Sequence, residues 1–223
     1  ANHLFGTDEL GRDILARVTY GSRYSLSISA ITVLFALTIG TILGSIAGYF
    51  GGKIDMIIMR IMDVFLAIPG SLLAICIVAA LGQDIKNMII ALTISTVPAF
   101  SRIIRGSVLT VRDVEYIEAA RAIGAKNTTI IKDHILPNCM APIIVQTTLK
   151  IADIILTIAG LSFLGLGIQA PMPEWGSMLS GGRSYIRDYS YMTLFPGLAI
   201  MTTILSLNLM GDGLRDALDP RLK

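Results

Sequence analysis

The chain has 223 residues, of which 53% are hydrophobic and only 15% are charged, and its mean hydropathy is +0.70. Soluble domains carry roughly 25% charged residues, so this chain has too little polar surface for a water-soluble globule. Its many aliphatic residues exclude intrinsic disorder, and a net charge of +2 excludes the broad basic field of a nucleic-acid-binding protein. The composition predicts a membrane protein.

Five apolar segments are long enough to cross a bilayer, which requires about 20 residues per helix. They do not alternate polar and apolar residues as barrel strands do, so we predict an all-α bundle of five transmembrane helices. The predicted spans are residues 24–50, 55–81, 85–106, 140–167 and 192–211. The third is short, and it requires Arg102 and Arg105 to extend toward the lipid headgroups. Pro69 and Pro98 predict kinks within their spans.

The distribution of basic residues predicts the orientation, because cytoplasmic loops carry the excess of Lys and Arg. Eleven of the 18 basic residues fall on one side of the predicted spans and six on the other, with one inside a span. Within a transmembrane domain 24–211, the segment 106–139 is therefore predicted to be cytoplasmic, as is the tail 212–223. Residues 1–23 and the loop 168–190 are predicted to be external. An external N-terminus without a signal peptide also predicts a missing first span, the sixth of the intact protein.

Small residues recur at every fourth position of the first span, at Ala36, Gly40, Gly44, Gly48 and Gly52. Residues four apart share one face of a helix. A face with almost no side chain lets a neighbouring helix approach closely, which matters in lipid because no hydrophobic drive brings helices together. We interpret the stripe as a helix-packing surface, and glycines that permit a bend are the alternative.

Three ionisable residues lie inside predicted spans: Asp63, Lys150 and Asp153. Charges inside a membrane are costly and usually face the bundle interior or a hydrated cavity. Lys150 and Asp153 are three residues apart on one helix and can pair with each other, whereas Asp63 is expected to bond a neighbouring helix. Two interpretations of the pair remain open, an ion or proton relay and a self-neutralised pair that lines a hydrated path or ties helices together.

The sequence contains no pattern of an enzyme active site or a metal centre. Cys76 and Cys139 lie in or beside apolar stretches without metal-type spacing, and His3 and His134 are isolated. The glycines before Lys53 lack the spacing and the hydroxyl of a phosphate-binding loop. We therefore expect no catalytic residue, no metal and no cofactor in this chain, so any energy for its work must come from a partner.

The segment 113–138 is long and polar for a loop in so apolar a chain. Its spacing predicts a helix that stops at Gly124 and a second helix that has Asn127 or Thr128 as its N-cap and ends at Pro137. Ala119, Ala120 and Gly124 would leave an exposed surface with little side chain, which is suited to entering a groove on another protein. An amphipathic helix pair resting on the lipid headgroups is the alternative.

This segment resembles the EAA signature of the permease subunits of bacterial ABC importers, which has the form E-A-A-x3-G-x9-I-x-L-P. His134 stands at the isoleucine position, and the matching residues are Glu118, Ala119, Ala120, Gly124, Leu136 and Pro137. Two further stretches, 5–13 and 162–179, are similar to the C-type subunit of the dipeptide, oligopeptide and nickel permeases. With them the resemblance covers essentially the whole chain.

The resemblance implies a type I importer-like fold and ATP-driven import of peptides or a related small solute. It implies that the EAA segment docks in a cleft of an ATP-hydrolysing subunit, which binds the ATP. It also implies a sister permease that forms a heterodimer with this chain, two ATPase subunits, an external solute-binding protein and a place in the bacterial cytoplasmic membrane. Among the external pieces, the aromatic-rich loop 168–190 is the expected contact with the solute-binding protein. An interfacial aromatic belt is the alternative there.

Two functions of other classes remain open on the sequence. An ion-coupled secondary transporter or channel would use Lys150, Asp153 and Asp63 as its ion path. Inverted repeats with broken helices would favour that function, and the sequence shows no convincing internal repeat. The other is a membrane-anchored interaction protein without a transport role.

Overall fold

The computed structural model describes residues 3–168 and 171–218, and these residues form a helical bundle. The α-helices are α1 Ile14–Phe50, α2 Gly52–Leu66, α3 Gly70–Leu81, α4 Ile85–Val111, α5 Glu115–Ala122, α6 Asn127–Thr129, α7 Leu136–Asn138, α8 Met140–Phe163, α9 Trp175–Gly182 and α10 Tyr191–Leu218. A π-helical turn, Ile130–Ile135, joins α6 to α7. Within the described residues there is no strand, so the all-α prediction is confirmed. Parts of the predicted N-terminal segment (1–2), external loop (169–170) and C-terminal tail (219–223) lie outside the described residues.

Four of the described helices, α1, α4, α8 and α10, are long and apolar enough to cross a membrane. Helices α2 and α3 meet at an angle of 81°, and together they add a fifth crossing if they form one broken span. Pro69 is the N-cap residue of α3, and a proline disfavours the helical conformation in the residue before it. The break therefore falls where the sequence predicted a kink. Pro98, in contrast, lies within the continuous helix α4.

The helices extend beyond the apolar runs that predicted them. α1 begins at Ile14 and not at residue 24, so nearly half of the predicted external segment 1–23 is helical. The carboxylate of Asp13 starts this helix by accepting hydrogen bonds from the N–H groups of Leu15 and Ala16. At 37 residues, α1 is about 55 Å long and exceeds the roughly 30 Å hydrocarbon core. Hydropathy locates the part of a helix that lies in lipid, whereas caps locate its ends.

The contact between α1 and α4 forms the centre of the bundle. The buried face of α1 includes Ala36, Gly40, Gly44 and Gly48. A Cβ atom on Gly44 would lie only 2.5 Å from the carbonyl oxygen of Ser101 and 3.0 Å from Cβ of Ile104, and Gly40 and Gly48 have neighbours on α4 that are similarly close. The two helices therefore approach at backbone distance, and any side chain on this face would separate them.

The turn between α1 and α2 depends on two consecutive glycines. Gly51 and Gly52 have φ angles of 63° and 53°, a region that residues with a Cβ rarely adopt. Gly52 begins α2, and a Cβ on it would meet nothing within 4 Å. The prediction that Gly52 extends the packing stripe was therefore wrong, because Gly52 forms part of the turn between α1 and α2.

Two ion pairs hold α2 against α4. The guanidinium of Arg105 donates to both carboxylate oxygens of Asp55, with Nη2 to Oδ2 at 2.6 Å. Arg102 donates from Nη2 to Oδ1 of Asp63 at 2.7 Å. The two arginines therefore bind carboxylates on the neighbouring helix instead of extending alone toward the headgroups, because pairing neutralises charge that is costly in a membrane. The two-point contact at Asp55 also fixes the relative orientation of the side chains.

The stretch 5–13 folds into a loop that ties the start of α1 to the start of α10. Asp8 is its centre, since its carboxylate accepts hydrogen bonds from the backbone N–H groups of Leu10 and Arg12 and from Nε of Arg12 at 2.6 Å. Nε of Arg17 lies 3.4 Å from the same carboxylate. Across the loop, the hydroxyl of Tyr191 donates to the carbonyl of Thr7. The motif 5–13 thus has a structural role that its sequence did not reveal.

We expect the substitution Asp8→Asn to lower the stability of the purified protein by about 1.5–3 kcal/mol at pH 7, because hydrogen bonds to a charged group are lost. Partial burial raises the pKa of the Asp8 carboxyl, but the hydrogen bonds from Arg12 and Leu10 outweigh burial and hold the pKa below its ordinary value of 3.8. The contribution of the carboxylate is therefore complete above that unfolded-state pKa and is lost as the pH falls through the lower folded-state pKa.

The measurement is the thermal midpoint Tm in detergent between pH 7 and pH 3, with the exposed neighbour Glu9 changed to Gln as the control. The difference between wild type and Asp8→Asn should shrink toward pH 3, while Glu9→Gln should resemble wild type throughout. A difference that does not change with pH would show that the Asp8 charge contributes nothing.

Candidate coupling segment and membrane cavity

Helix α5 has one face buried in the bundle and one face free. Ile117 and Ala120 are 0% and 7% exposed and belong to the main hydrophobic core. The prediction that Ala120 lies on the exposed surface was therefore wrong, because this position of α5 faces the bundle. Glu118 and Ala119 are exposed. The free face therefore combines one negative charge with a small side chain, and Ile123, which is 85% exposed, follows it.

Gly124 closes this free face at the C-terminal end of α5. Its φ angle is 80°, and a Cβ atom on it would meet nothing within 4 Å. The N–H of the next residue, Ala125, donates to the carbonyl of Ala120, as is typical of a helix end closed by a left-handed glycine. We call residues 118–124 with their exposed side chains the coupling face.

Polar contacts join the segment 113–138, which we call the coupling segment, to the ends of α1 and α4. The hydroxyl of Tyr49, on α1, donates to Oδ1 of Asn127 at 2.9 Å, and the guanidinium of Arg121 lies over the Tyr49 ring at 5.1 Å. Arg112, at the end of α4, donates from Nη1 to the carbonyl of Gly48 on α1 at 2.9 Å. Arg121 of α5 and Asn127 of α6 therefore both contact the end of α1, and Arg112 ties that end to α4.

The second half of the segment comprises α6, the π-helical turn and α7, and it ends at Asn138, one residue after Pro137, where the sequence predicted the end. Leu136 and Pro137 lie in α7, directly after the π-helical turn. A proline within a helix has no N–H and clashes with the preceding turn, and a wider π turn is one way in which a helix accommodates such a disruption. Cys139 separates α7 from α8 and is 1% exposed, and burial raises the pKa of its thiol to about 11.

The start of α6 also differs from the expectation. Lys126 occupies the N-cap position, and Asn127 is the first helical residue. The side chain of Asn127 accepts the Tyr49 bond and does not cap the helix. Tertiary contact therefore determines the role of this residue.

A polar cavity of about 290 Å³ lies beside the break between α2 and α3. The cavity is lined from α3, α4 and α8, and its polar lining residues are Ser71, Ser95, Thr96, Lys150, Asp153 and Thr157. Nζ of Lys150 donates to Oδ2 of Asp153 at 2.9 Å. The structure thus brings Lys150 and Asp153 together, whereas Asp63 pairs with Arg102 and is not part of the lining. Sequence reasoning missed the hydroxyls on α4, which carry no signal that separates them from ordinary helix residues.

The predicted external loop contains α9 and is more ordered than its composition indicates. Glu174 is 1% exposed, and its carboxylate accepts hydrogen bonds from the N–H groups of Gly176 and Ser177 and from the hydroxyl of Ser25. Trp175 is buried and donates from Nε1 to the carbonyl of Val18 at 2.9 Å. Trp175 therefore packs inside the bundle. The exposed aromatic side chains of this region are Tyr185 and Tyr189.

Residues 40–223 match the family described as the binding-protein-dependent transport system inner membrane component. The chain belongs to this family. It is 55% identical over its full length to the dipeptide transport system permease protein DppC of Alkalihalophilus pseudofirmus, of which it covers 73%. It is 50% identical over 99% of its length to the glutathione transport system permease protein GsiD of Pectobacterium atrosepticum, again covering 73%. The di/tripeptide transport system permease protein DppC of Pseudomonas aeruginosa is 48% identical over the full chain, which covers 74% of it.

Solved structures of ABC importers share the fold. The inward-facing MetNI methionine ABC transporter aligns with a TM-score of 0.74 at 18% identity, over 92% of this chain and 98% of the other. An amino acid ABC transporter aligns with a TM-score of 0.68 at 15% identity, over 92% and 95% of the two chains. The predicted type I importer-like fold and the resemblance to ABC importer permeases are thereby confirmed. The chain is a multi-pass membrane component of an ABC transport system.

Proposed function

We propose that this chain forms half of the translocation path of an ATP-driven importer of short peptides. Its full-length relatives are named for dipeptides, for di- and tripeptides and for glutathione, which is itself a tripeptide. The observation that carries the coupling part of the proposal is the coupling face, free on its outer side and joined through Tyr49, Asn127 and Arg121 to α1.

The coupling face is suited to a groove on an ATP-hydrolysing partner. Ala119 and Gly124 allow the partner to approach the backbone closely, and Glu118 offers a negative charge to its donors. When the two ATPase subunits close on ATP, α5 moves with them, and α1 and α4 follow because their ends are bonded to the segment. This is a rigid-body transition between two arrangements, and each arrangement must make different contacts with ATP-bound and ATP-free partners.

The remaining partners follow from the exposed surfaces. A sister permease completes the path on the side of the bundle where the cavity opens. Asp153 lies at this opening and is 64% exposed. An external solute-binding protein meets the end of the bundle that carries Tyr185 and Tyr189. In this orientation the segment 106–139 and the C-terminal tail are cytoplasmic, and the membrane is the bacterial inner membrane. The described residues hold no cluster of acidic, His or Cys side chains able to bind a metal, and ATP binds to the partner subunits.

The test is purification of the complex from the cells that encode it, followed by mass spectrometry of the subunits and by uptake into proteoliposomes. We expect a second permease, two ATPase subunits and a solute-binding protein, and uptake of a labelled dipeptide that requires ATP. Uptake that requires no ATPase, or that collapses with the ion gradient, would replace this function with ion-coupled transport.

A further inference from the structure

We propose that the cavity beside the broken span binds the two charged ends of a peptide in transit, with Lys150 and the start of α3 holding the carboxylate and Asp153 holding the ammonium group. This inference rests on the proposed function and deepens it, because it assigns to the membrane domain a recognition site for zwitterionic peptides.

The position of the cavity places it near the middle of the membrane. Lys150 and Asp153 lie near the centre of α8, Thr96 lies near the centre of α4, and the break at Pro69 interrupts the span formed by α2 and α3. Each element therefore contributes to the cavity from its midpoint. A solute that crosses between the two sides of the bilayer passes this depth.

The polar groups of the cavity have capacity for a ligand. Thr96 is only 7% exposed, and its hydroxyl makes no hydrogen bond with any described residue, although it lines the cavity. A hydroxyl that borders a cavity can donate to or accept from a ligand there. No side chain caps the start of α3, where Gly70 and Ser71 line the same cavity. The free N–H groups and dipole of a helix start attract an anion such as a carboxylate.

The charges of the cavity complement a peptide with free termini. Lys150 and Asp153 neutralise each other at 2.9 Å, which avoids an isolated charge at membrane depth. A zwitterion brings one carboxylate and one ammonium group, so each charge of the pair gains a partner and the site remains neutral. Lys150 is 29% exposed and Asp153 64%, so the ammonium end lies nearer the opening. A volume of about 290 Å³ is at the lower end of the roughly 300–1,000 Å³ of small-molecule pockets.

The deciding variant exchanges the two charges, Lys150→Asp with Asp153→Lys. It keeps a self-neutralising pair three residues apart, so a purely structural pair survives the exchange, but it places a carboxylate where the peptide carboxylate binds. The second variant is Thr96→Val, which removes the hydroxyl at nearly constant shape. Its matched control is Thr147→Val on α8, a half-buried threonine whose hydroxyl bonds the carbonyl of Ile143 and does not line the cavity.

Uptake of labelled dialanine is measured with the complete complex in proteoliposomes at saturating solute-binding protein, together with basal ATP hydrolysis. We expect the exchange to lower uptake at least tenfold and Thr96→Val to lower it severalfold, with assembly and basal hydrolysis within twofold of wild type. Thr147→Val should keep wild-type uptake. Wild-type uptake in both the exchange and Thr96→Val variants would overturn the inference while leaving the proposed function intact. Absence of ATP-driven uptake in the wild-type complex would overturn the function itself.

A binding measurement tests the site without transport. Millimolar dialanine should raise the Tm of the wild-type complex purified without its solute-binding protein, because a ligand that binds only the folded state stabilises it. Dialanine acetylated at its N-terminus and amidated at its C-terminus should not raise it, and neither peptide should stabilise the exchange variant. Equal stabilisation by both peptides would show that the termini are not recognised.

Discussion

Charge reversal at Glu118 or a leucine at Gly124 is expected to reduce ATP-driven uptake at least tenfold while the membrane bundle stays folded. Glu118 is exposed and makes no ion pair within the described residues, so Glu118→Arg changes only the surface offered to a partner. A Cβ atom at Gly124 would meet nothing within 4 Å, so Gly124→Leu begins in open space and places its bulk on the coupling face. The measurements are co-purification of the ATPase subunits and the ATP turnover stimulated by the solute-binding protein.

Two controls separate docking from other causes. Asp188→Arg makes the same charge reversal at an exposed position near the opposite end of the bundle, and it should leave the co-purification of the ATPase subunits unchanged. Gly124→Asn isolates backbone strain, because the φ of 80° is unfavourable for leucine but tolerated better by asparagine. It should assemble better than Gly124→Leu. If Glu118→Arg and Gly124→Leu both assemble and transport like wild type, the coupling face is not where the ATPase docks.

Gly44→Leu is expected to disrupt the contact between α1 and α4. Even a Cβ atom at this position lies 2.5 Å from the Ser101 carbonyl and 3.1 Å from the backbone nitrogen of Arg105, and backbone cannot move aside as a flexible side chain does. Overpacking of a close contact typically costs 1–3 kcal/mol and sometimes more. If α1 and α4 separate at this point, Arg105 on α4 is also displaced from Asp55 on α2. We therefore expect a large fall in Tm in detergent and a low yield of folded protein.

Gly160→Leu is the matched control for this substitution. Gly160 lies within α8, is exposed, and a Cβ on it meets nothing within 4 Å. The same change of residue should therefore leave Tm nearly unaltered. If Gly44→Leu also leaves Tm unaltered, the stripe on α1 is not a packing surface.

The coupling segment shows how much of the structure can be predicted from the local sequence. Ala119 and Gly124 were identified because a polar stretch with small residues is unusual in an apolar chain, and Glu118 was identified through the resemblance to the EAA signature. The end of the second helix was predicted to within one residue, because α7 ends at Asn138, but the π turn before Pro137 was not predicted. Asn127 was expected at a cap, yet it bonds Tyr49 from a helix 78 residues away. Only the tertiary arrangement brings those two side chains together.

The sequence alone determined that this chain is a helical membrane protein, approximately where its long apolar helices lie, and which face of α1 is bare. Those properties depend on residues a few positions apart, whose spacing the helix geometry sets directly. Tertiary structure decided that Arg102 and Arg105 bind Asp63 and Asp55, and that hydroxyls on α4 meet the charges of α8 in one cavity. These contacts join distant helices, and in lipid their partners are selected by which backbones pack closely enough to bring the polar groups within bonding distance.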